Sequence, residues 1–397
     1  GVTVLGTGDF THPAWMKEIK NKLEPAETGL FKLREKFRKP TMKGTFAETR
    51  FMLTVEISSI YSRGGKTRRV HNLIFAPSLE VALKINVALG KIGNIKSDGR
   101  PIIGLDSEDL LKLVLGRNPS TSRAYRQAGS GQNCGAVLVP AHIWTPWFAM
   151  FGSMSGFNSI EECFGDYSKY IFAIETGLSS DPPMNWRVSN LDKVALISNS
   201  DAHSLERIGR EANILDCEMS YQGIIDAIKG SPSLHSGRLS RFSETIEFHP
   251  EAGRYHLDGH RACGVIWTPK QTEQHKNICS KCGRKVTVGT LNRLAQIADR
   301  PENYIDKSRT PFRRLVPLAE IISATLHIGA KSKAVQKEYL KLILAFGSEL
   351  KILLDAPIKQ IALVTNSKIG EGVAHVRAGK LKISPGYDGE YGKVHIL

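Results

Sequence analysis

Asp201 and His203 stand two residues apart, just past the apolar run Val194-Ala195-Leu196-Ile197. A carboxylate and an imidazole so placed are hard-to-borderline ligands suited to a zinc- or manganese-like ion. The arrangement recurs along the chain. Val2-Thr3-Val4-Leu5 runs into Asp9 and His12, Phe51-Met52-Leu53-Thr54-Val55 stops at Glu56, and His71 opens Asn72-Leu73-Ile74-Phe75. Ala136-Val137-Leu138-Val139-Pro140 delivers His142, and Ile171-Phe172-Ala173-Ile174 delivers Glu175. A single polar stop of this kind is ordinarily a satisfied core group. Several on separate strands favour a metal cluster, because buried charges need partners or cations.

A second set has different chemistry. Cys279-Ser280-Lys281-Cys282-Gly283 is a C-x-x-C turn, and His260-Arg261-Ala262-Cys263-Gly264 repeats the spacing with His in the first position. Together they offer three sulfurs and one nitrogen, the donor set of a tetrahedral structural zinc site. His256 competes with His260 for the fourth position. A thioredoxin-like redox role for the C-x-x-C lacks the strand–helix setting that it needs. Cys134, Cys163 and Cys217 have no paired spacing and read as buried thiols of a reducing compartment.

The elements that position these groups follow from periodicity. Short apolar runs read as buried strands. In barrels of alternating strands and helices, ligands leave the C-terminal strand ends. Thr245, Glu247 and His249 alternate, Pro250–Gly253 forms a turn, and Tyr255 and Leu257 return, which is a hairpin pattern. Leu291, Leu294, Ala295 and Ile297 suggest a short amphipathic helix. Pro317–Leu326 and Lys333–Leu354 carry helical spacing of apolar residues, and Ile383–Gly389 reads as a turn between short strands. The expected organisation is an α/β barrel over 1–242, a zinc-stabilised module over 243–300 and a basic, mainly helical domain over 301–397.

The bulk numbers set limits. The 397 residues are 41% hydrophobic and 23% charged, ordinary values for a globular protein. No apolar stretch approaches the ~20 residues of a membrane helix, and no signal-peptide pattern opens the chain. A cytoplasmic, nucleoid-associated protein is the expectation, without a membrane partner. Net charge is +15 with a pI near 9.5. Between 276 and 397 there are 21 Lys+Arg against 10 Asp+Glu, so +11 of that charge lies in the last third. Each lysine alone is by default a solvated side chain, but collectively they suit a phosphate backbone. Trp144, Trp147, Phe148, Phe151 and Phe157 follow His142 and are candidates for stacking a base, with plain core packing the alternative. Arg69, with Lys66, Arg68, Arg123 and Arg126, is a candidate phosphate contact.

Longer strings carry a resemblance. Gly6-Thr7-Gly8-Asp9-Phe10-Thr11-His12-Pro13, Pro140-Ala141-His142-Ile143-Trp144-Thr145-Pro146-Trp147, Glu175-Thr176-Gly177-Leu178-Ser179-Ser180-Asp181-Pro182 and Ser198-Asn199-Ser200-Asp201-Ala202-His203-Ser204 are unusual. With the His260/Cys263/Cys279/Cys282 turns, they resemble the endonuclease Q family of the polymerase-and-histidinol-phosphatase (PHP) superfamily, over nearly the whole chain.

The resemblance implies a distorted seven-stranded PHP-type (β/α)7 barrel carrying up to three metal ions, then a small zinc-binding module and a mainly helical part. It implies hydrolysis of DNA on the 5′ side of uracil, hypoxanthine, xanthine or an abasic site. It assigns Asp9, His12, Glu56, His71, His142, Asp201 and His203 as ligands of a divalent cluster of Zn²⁺, Mn²⁺ or Mg²⁺. Glu175 either ligates or orients a ligand histidine. Asp201, Glu56 and His142 are the residues expected to carry the chemistry. Damaged DNA is the implied partner, with replication or repair proteins as further candidates.

The superfamily opens with an H-x-H motif on its first strand, and Gly1 follows that position. The expectation is that about one strand–helix unit precedes this sequence; without it the cluster would lack two imidazoles and activity would be in doubt. Two competing classes share the cluster. A phosphoesterase acting on small substrates needs neither the zinc module nor the basic last third, and a catalytically dead scaffold would bind DNA without cutting it.

Overall fold

The computed structural model describes residues 1–40, 49–117, 135–230 and 240–396. Arg123, Arg126 and Cys134 lie outside them.

Seven strands form the main sheet: Val4–Gly6 (β1), Leu23–Pro25 (β2), Phe31–Leu33 (β3), Arg50–Arg63 (β4), Lys66–Ala76 (β5), Ile102–Ile103 (β6) and Val137–Pro140 (β7). Their order is β2-β3-β4-β5-β7, with β1 and β6 each pairing parallel to β4. The expectation for Glu56 and His71 changes here. The apolar runs place them at the ends of separate barrel strands, but β4 and β5 form one long antiparallel hairpin with both residues inside it. Its tight turn is Gly64-Gly65, where φ of +61° and +70° suits glycine. Beyond Glu56 the strand alternates Ile57 with Ser58, Ser59 and Ile60, so the apolar run stops while the strand continues.

Ala173–Glu175 (β8) pairs parallel with Ala195–Ile197 (β9), as the two apolar runs predict. Among the described residues the ladder is not continuous from β7 to β8: β8 and β9 make a two-stranded sheet of their own beside the seven-stranded one. The pairs β2–β3, β3–β4, β4–β5 and β5–β7 are antiparallel. The core between sheet and helices is built on side chains such as Leu53, Ile57, Ile74, Leu110 and Phe164.

Ala212–Asp216 (β10) runs antiparallel to Arg241–Glu247 (β11). The hairpin expected over 245–257 does not form. After β11 the chain makes a short 3-10 turn at Pro250–Ala252, and the next strand, Asp258–His260 (β12), pairs with Val265–Trp267 (β13). The small apolar cluster Val265, Trp267, Cys279 and Val286 is all this module buries on its own, which fits a metal-stapled unit. Phe312–Arg314 (β14) joins β11 in parallel.

The last third is helical, with one break in the pattern expected of it. Lys333–Phe346 and Glu349–Leu354 are separate helices, divided at Gly347 (φ +94°), and the Ser348 hydroxyl accepts from Lys351 N to cap the second. Leu381–Ser384 (β15) and Lys393–Ile396 (β16) close the chain as an antiparallel pair. The loop between them docks on the Cys module. Asp388 accepts from Arg261 N and from the Thr287 hydroxyl, both at 2.6 Å, and Leu257 N donates to Gly386 O. No helix among the described residues is long and apolar enough to cross a membrane.

Candidate metal centre and its surroundings

Strand register brings the first three groups together. Glu56 lies opposite Leu73, and Ser58 lies opposite His71, so Glu56 and His71 are diagonal neighbours on one face of the hairpin. Pro140 on β7 pairs with Asn72, and Ala141 N donates to His71 O, which carries His142 onto the same spot. His71 Nδ1 lies 2.7 Å and His142 Nε2 3.1 Å from Glu56 Oε1. The two ring nitrogens are 3.2 Å apart.

The backbone at His142 is unusual, with φ +28°. Glu175 holds it there: its Oε2 accepts from His142 N at 2.7 Å, and its Oε1 accepts from Asn199 Nδ2 at 2.8 Å. Gly177 leaves the room, since a β-carbon there would come within 2.5 Å of His142 Cβ. Of the two roles open to Glu175, this geometry is the orienting one. Both its oxygens accept hydrogen bonds that fix His142 and the Asn199 loop.

Charge in the cluster asks for a cation. Burial alone would raise Glu56, but its bonds to His142 and His71 hold it well below the ordinary carboxylate range. Burial opposes a proton on His142, yet Glu56, Glu175 and Asp201 together push it up to about 9. Burial dominates at His71 and lowers it. One carboxylate between two imidazoles, with further carboxylates behind, is compensated in the folded chain by an imidazolium proton. A divalent ion would satisfy the same field with the ring nitrogens as ligands, so the donor set fits one.

Of the other expected ligands, Asp9 lies within electrostatic reach of Glu56 and Asp201 within reach of His142. Asp9 (φ +51°) and His12 follow β1, and burial, Asp98 and Glu56 raise the Asp9 carboxyl. Asp201 (φ +42°) and His203 follow β9 on an exposed loop, with His203 Nδ1 3.0 Å from Asp201 O. Arg210 donates to the carbonyls of Ser200 and Asp201 and so braces that loop. Among the described residues, Glu56, His71 and His142 are the potential ligands whose atoms converge within 4.8 Å; Asp9, His12, Asp201 and His203 stay outside that group.

The second group converges fully. Ligand atoms of His260, Cys263, Cys279 and Cys282 lie within 4.8 Å of one another, with Cys282 Sγ 3.6 Å from His260 Nδ1. His256 is buried elsewhere and does not join them, which decides between the two histidines for His260. Gly264 and Gly283 turn the chain at φ +61° and +73°. Burial opposes ionisation of Cys279, but the N–H groups of Lys281 and Cys282 outweigh it and bring the thiol to about 7. Three sulfurs and one nitrogen in this arrangement fit a tetrahedral zinc-type ion.

The aromatic candidates divide. Trp144 and Phe151 are fully buried, with rings 5.0 Å apart and Trp144 Nε1 donating to Asn185 Oδ1. They are core, with no face open to a base, and Phe157 is buried too. The expectation that Trp144 and Phe151 stack on substrate is therefore corrected: their spacing marks the packing of the 143–157 loop. Trp147 is half-buried, edge-on to Tyr255 at 5.4 Å. Arg69 sits over Phe148 at 5.9 Å, and Arg68 is committed to Gly156 O and the Phe157 ring.

Residue-by-residue reading misses Asp98, Gly99 and Arg100. No apolar run ends there, and they reach the site only because Ser58 N donates to Pro101 O and β6 pairs with β4.

Comparison with known proteins matches this arrangement. The family described as MJ0043 C-terminal domain matches residues 317–380. Uncharacterized protein MJ0043 of Methanocaldococcus jannaschii is 32% identical over 261 residues, 64% of this chain and 31% of that protein. Uncharacterized protein YqxK of Bacillus subtilis is 30% identical over 265 residues, 66% of this chain and 62% of that one. The chain thus spans less than two thirds of either curated relative. Two crystal structures match it over its whole length at 28% identity. One is the lesion-specific endonuclease PfuEndoQ of Pyrococcus furiosus (TM-score 0.80, 87% of that chain). The other is endonuclease Q in complex with a 27-mer duplex substrate bearing an abasic lesion at the active site (TM-score 0.82, 89% of that chain). The match runs over the full length of this chain and takes in both the Glu56–His71–His142 cluster and the Cys module: along its whole length the chain is similar to endonuclease Q.

Proposed function

We propose that this chain is a metal-dependent DNA repair endonuclease of PHP type that hydrolyses the phosphodiester 5′ of uracil, hypoxanthine, xanthine or an abasic site. The observation that carries the reading is the convergence of Glu56, His71 and His142 within hydrogen-bonding distance, in a fold that matches a lesion endonuclease from end to end.

A divalent ion bound there would supply Lewis-acid charge for phosphodiester hydrolysis. The chain's own groups prepare that place. Glu56 presents one oxygen to both imidazoles, and Glu175 fixes the His142 backbone. Asp201 stands at the open side, within electrostatic reach of His142 and braced by Arg210, where its carboxylate can take a proton from water. The His260–Cys282 group is assigned a structural zinc that staples the small module, and the basic last third is assigned to the phosphate backbone. Domain limits near 242 and 300, and a cytoplasmic location beside the nucleoid, complete the reading.

The deciding experiment uses a 5′-labelled duplex with one central uracil or abasic analogue, incubated with Mg²⁺, Mn²⁺ or Zn²⁺. A single cut 5′ of the lesion is expected, reduced by at least ~10²-fold in Asp201→Asn. Equal cutting by that variant, or cutting of undamaged duplex alone, would sink the proposal.

A further inference from the structure

The loop Ser97-Asp98-Gly99-Arg100-Pro101 is held against the metal centre by strand pairing. Arg100 precedes a proline, which biases it to extended backbone, and the next residues enter β6 in parallel register with Ser58 and Ser59. Gly99 presses on Asp9 so closely that a β-carbon would stand 2.3 Å from the carboxylate. Arg100 then projects towards Glu56, with Nη1 3.5 Å from Oε1. That same oxygen already faces His71 and His142 at shorter range.

Two features distinguish this arginine from a structural partner of Glu56. The arginines that brace carboxylates in the fold make short contacts, as Arg313 does with Glu244 at 2.6 Å and Arg63 with Asp106 at 2.9 Å, whereas solvent-facing Arg34 stands 3.8 Å from Glu24. Arg100 likewise makes a loose contact, and among the described residues its guanidinium has no hydrogen bond. Its exposure also differs: the side chain is 40% exposed, against 7% for His71, 10% for His142 and 16% for Glu56. A cation with unspent N–H donors therefore sits at the exposed rim of three largely buried side chains.

We infer that Arg100 binds a non-bridging oxygen of the phosphate that is cut, directly beside Glu56. The inference rests on the endonuclease reading of the same site. A planar guanidinium offers two parallel N–H donors to one phosphate, which a point charge such as lysine does not. Contact with Glu56 keeps the side chain aimed at the cluster until a phosphate, the stronger anion, takes its donors. The substrate group is a backbone phosphodiester, so the contact is blind to the identity of the damaged base.

The test compares wild type, Arg100→Ala and Arg100→Lys on a duplex with one tetrahydrofuran abasic analogue. Three quantities are read: single-turnover nicking at saturating enzyme, bound metal per chain, and the salt dependence of duplex binding in EDTA by anisotropy. Arg100→Ala is expected to nick ~10²-fold more slowly, as for loss of one charge-stabilising donor. It should keep its metal and lower the slope of log K against log salt by about 1. Arg100→Lys should recover the salt slope but only part of the rate, and added guanidinium should restore part of the Arg100→Ala rate. Wild-type nicking by Arg100→Ala would overturn the inference, as would loss of rate together with metal or thermal stability, which would mark a brace for Glu56. If wild type cuts no lesion, the endonuclease reading fails by itself. The salt slope still decides Arg100, and an unchanged slope removes the phosphate contact.

Discussion

At the scale of single residues, the site works through unequal neighbours of like type. Glu56 and Glu175 are both glutamates near His142, yet one faces ring nitrogens and the other faces backbone N–H. Burial outweighs the nearby His142 charge and the bond from Asn199, and pushes Glu175 up to about 7, while Glu56 is held low. The difference predicts different losses. Glu56→Gln removes an anion from the cluster and should release metal. Glu175→Gln keeps one acceptor and loses the other, so His142 should be misplaced by a fraction of an ångström. We expect Glu175→Gln to keep its metal while nicking falls by roughly tenfold, consistent with a small positional error at a reacting centre. Metal stoichiometry by plasma mass spectrometry separates the two variants, and metal loss from Glu175→Gln would make it a ligand after all.

At the scale of elements, the residue before β10 and the last residue of β11 place an acid pair in the interior. Glu247 is fully buried, accepts from the Thr176 hydroxyl and is pushed up to about 7, by burial first and Asp181 as well. Glu211, buried beside it, is raised well above the ordinary range by burial and by Glu247. Both shifts have one sign. Between about pH 4.5 and 7 the unfolded chain releases these protons while the folded chain keeps them, so stability should fall as pH rises through that window. Glu247→Gln removes one such proton and should flatten the decline. Above about pH 8 it should stabilise the chain by on the order of 1–3 kcal/mol, read from urea midpoints. A steeper decline in the variant would contradict the shared cause.

The Cys module is the other element with a clear prediction. Its apolar cluster is small, and Asp388 ties it to the β15–β16 loop through Arg261 N and Thr287. Cys279→Ser should lose one zinc per chain and expose Lys281 and Arg284 to trypsin, with the metal at Glu56, His71 and His142 retained. Retained zinc with unchanged protease resistance would remove the staple from the account.

For the whole molecule, charge governs the encounter with a polyanion. A net charge of +15, concentrated beyond residue 276, predicts non-specific duplex binding driven by counterion release. For about five phosphate contacts, affinity for undamaged duplex should fall by roughly 10²–10³ between about 50 and 200 mM salt. A flat salt response would deny the last third a role on the backbone. Arg207, which follows the Asp201 loop, pairs at 2.8 Å with Glu320 on the helix Leu318–Leu326, a half-exposed contact between the two regions.

Features that depend only on neighbours in the chain are legible in the sequence. The strand before Asp201 and the helices from 318 onward can be read because burial imposes a period of two or 3.6 on side chains. The Cys-x-x-Cys and His-x-x-Cys turns can be read because two ligands on one turn need a fixed short spacing, and the unusual strings around Asp9, His142, Glu175 and Asp201 carry the resemblance to endonuclease Q. Other features exist only once the chain is folded. Glu56 and His71 meet through the register of a long hairpin whose serines interrupt the apolar pattern, and His260 displaces His256 only through the fold of the module. Trp144 and Phe151 are core although they closely follow His142, because aromatic type does not reveal which way a loop folds. Arg100 lies 44 residues after Glu56 in sequence, and only the pairing of β6 with β4 puts its charge beside that carboxylate. Contacts between distant segments leave no local period, so no pattern in the chain could announce them.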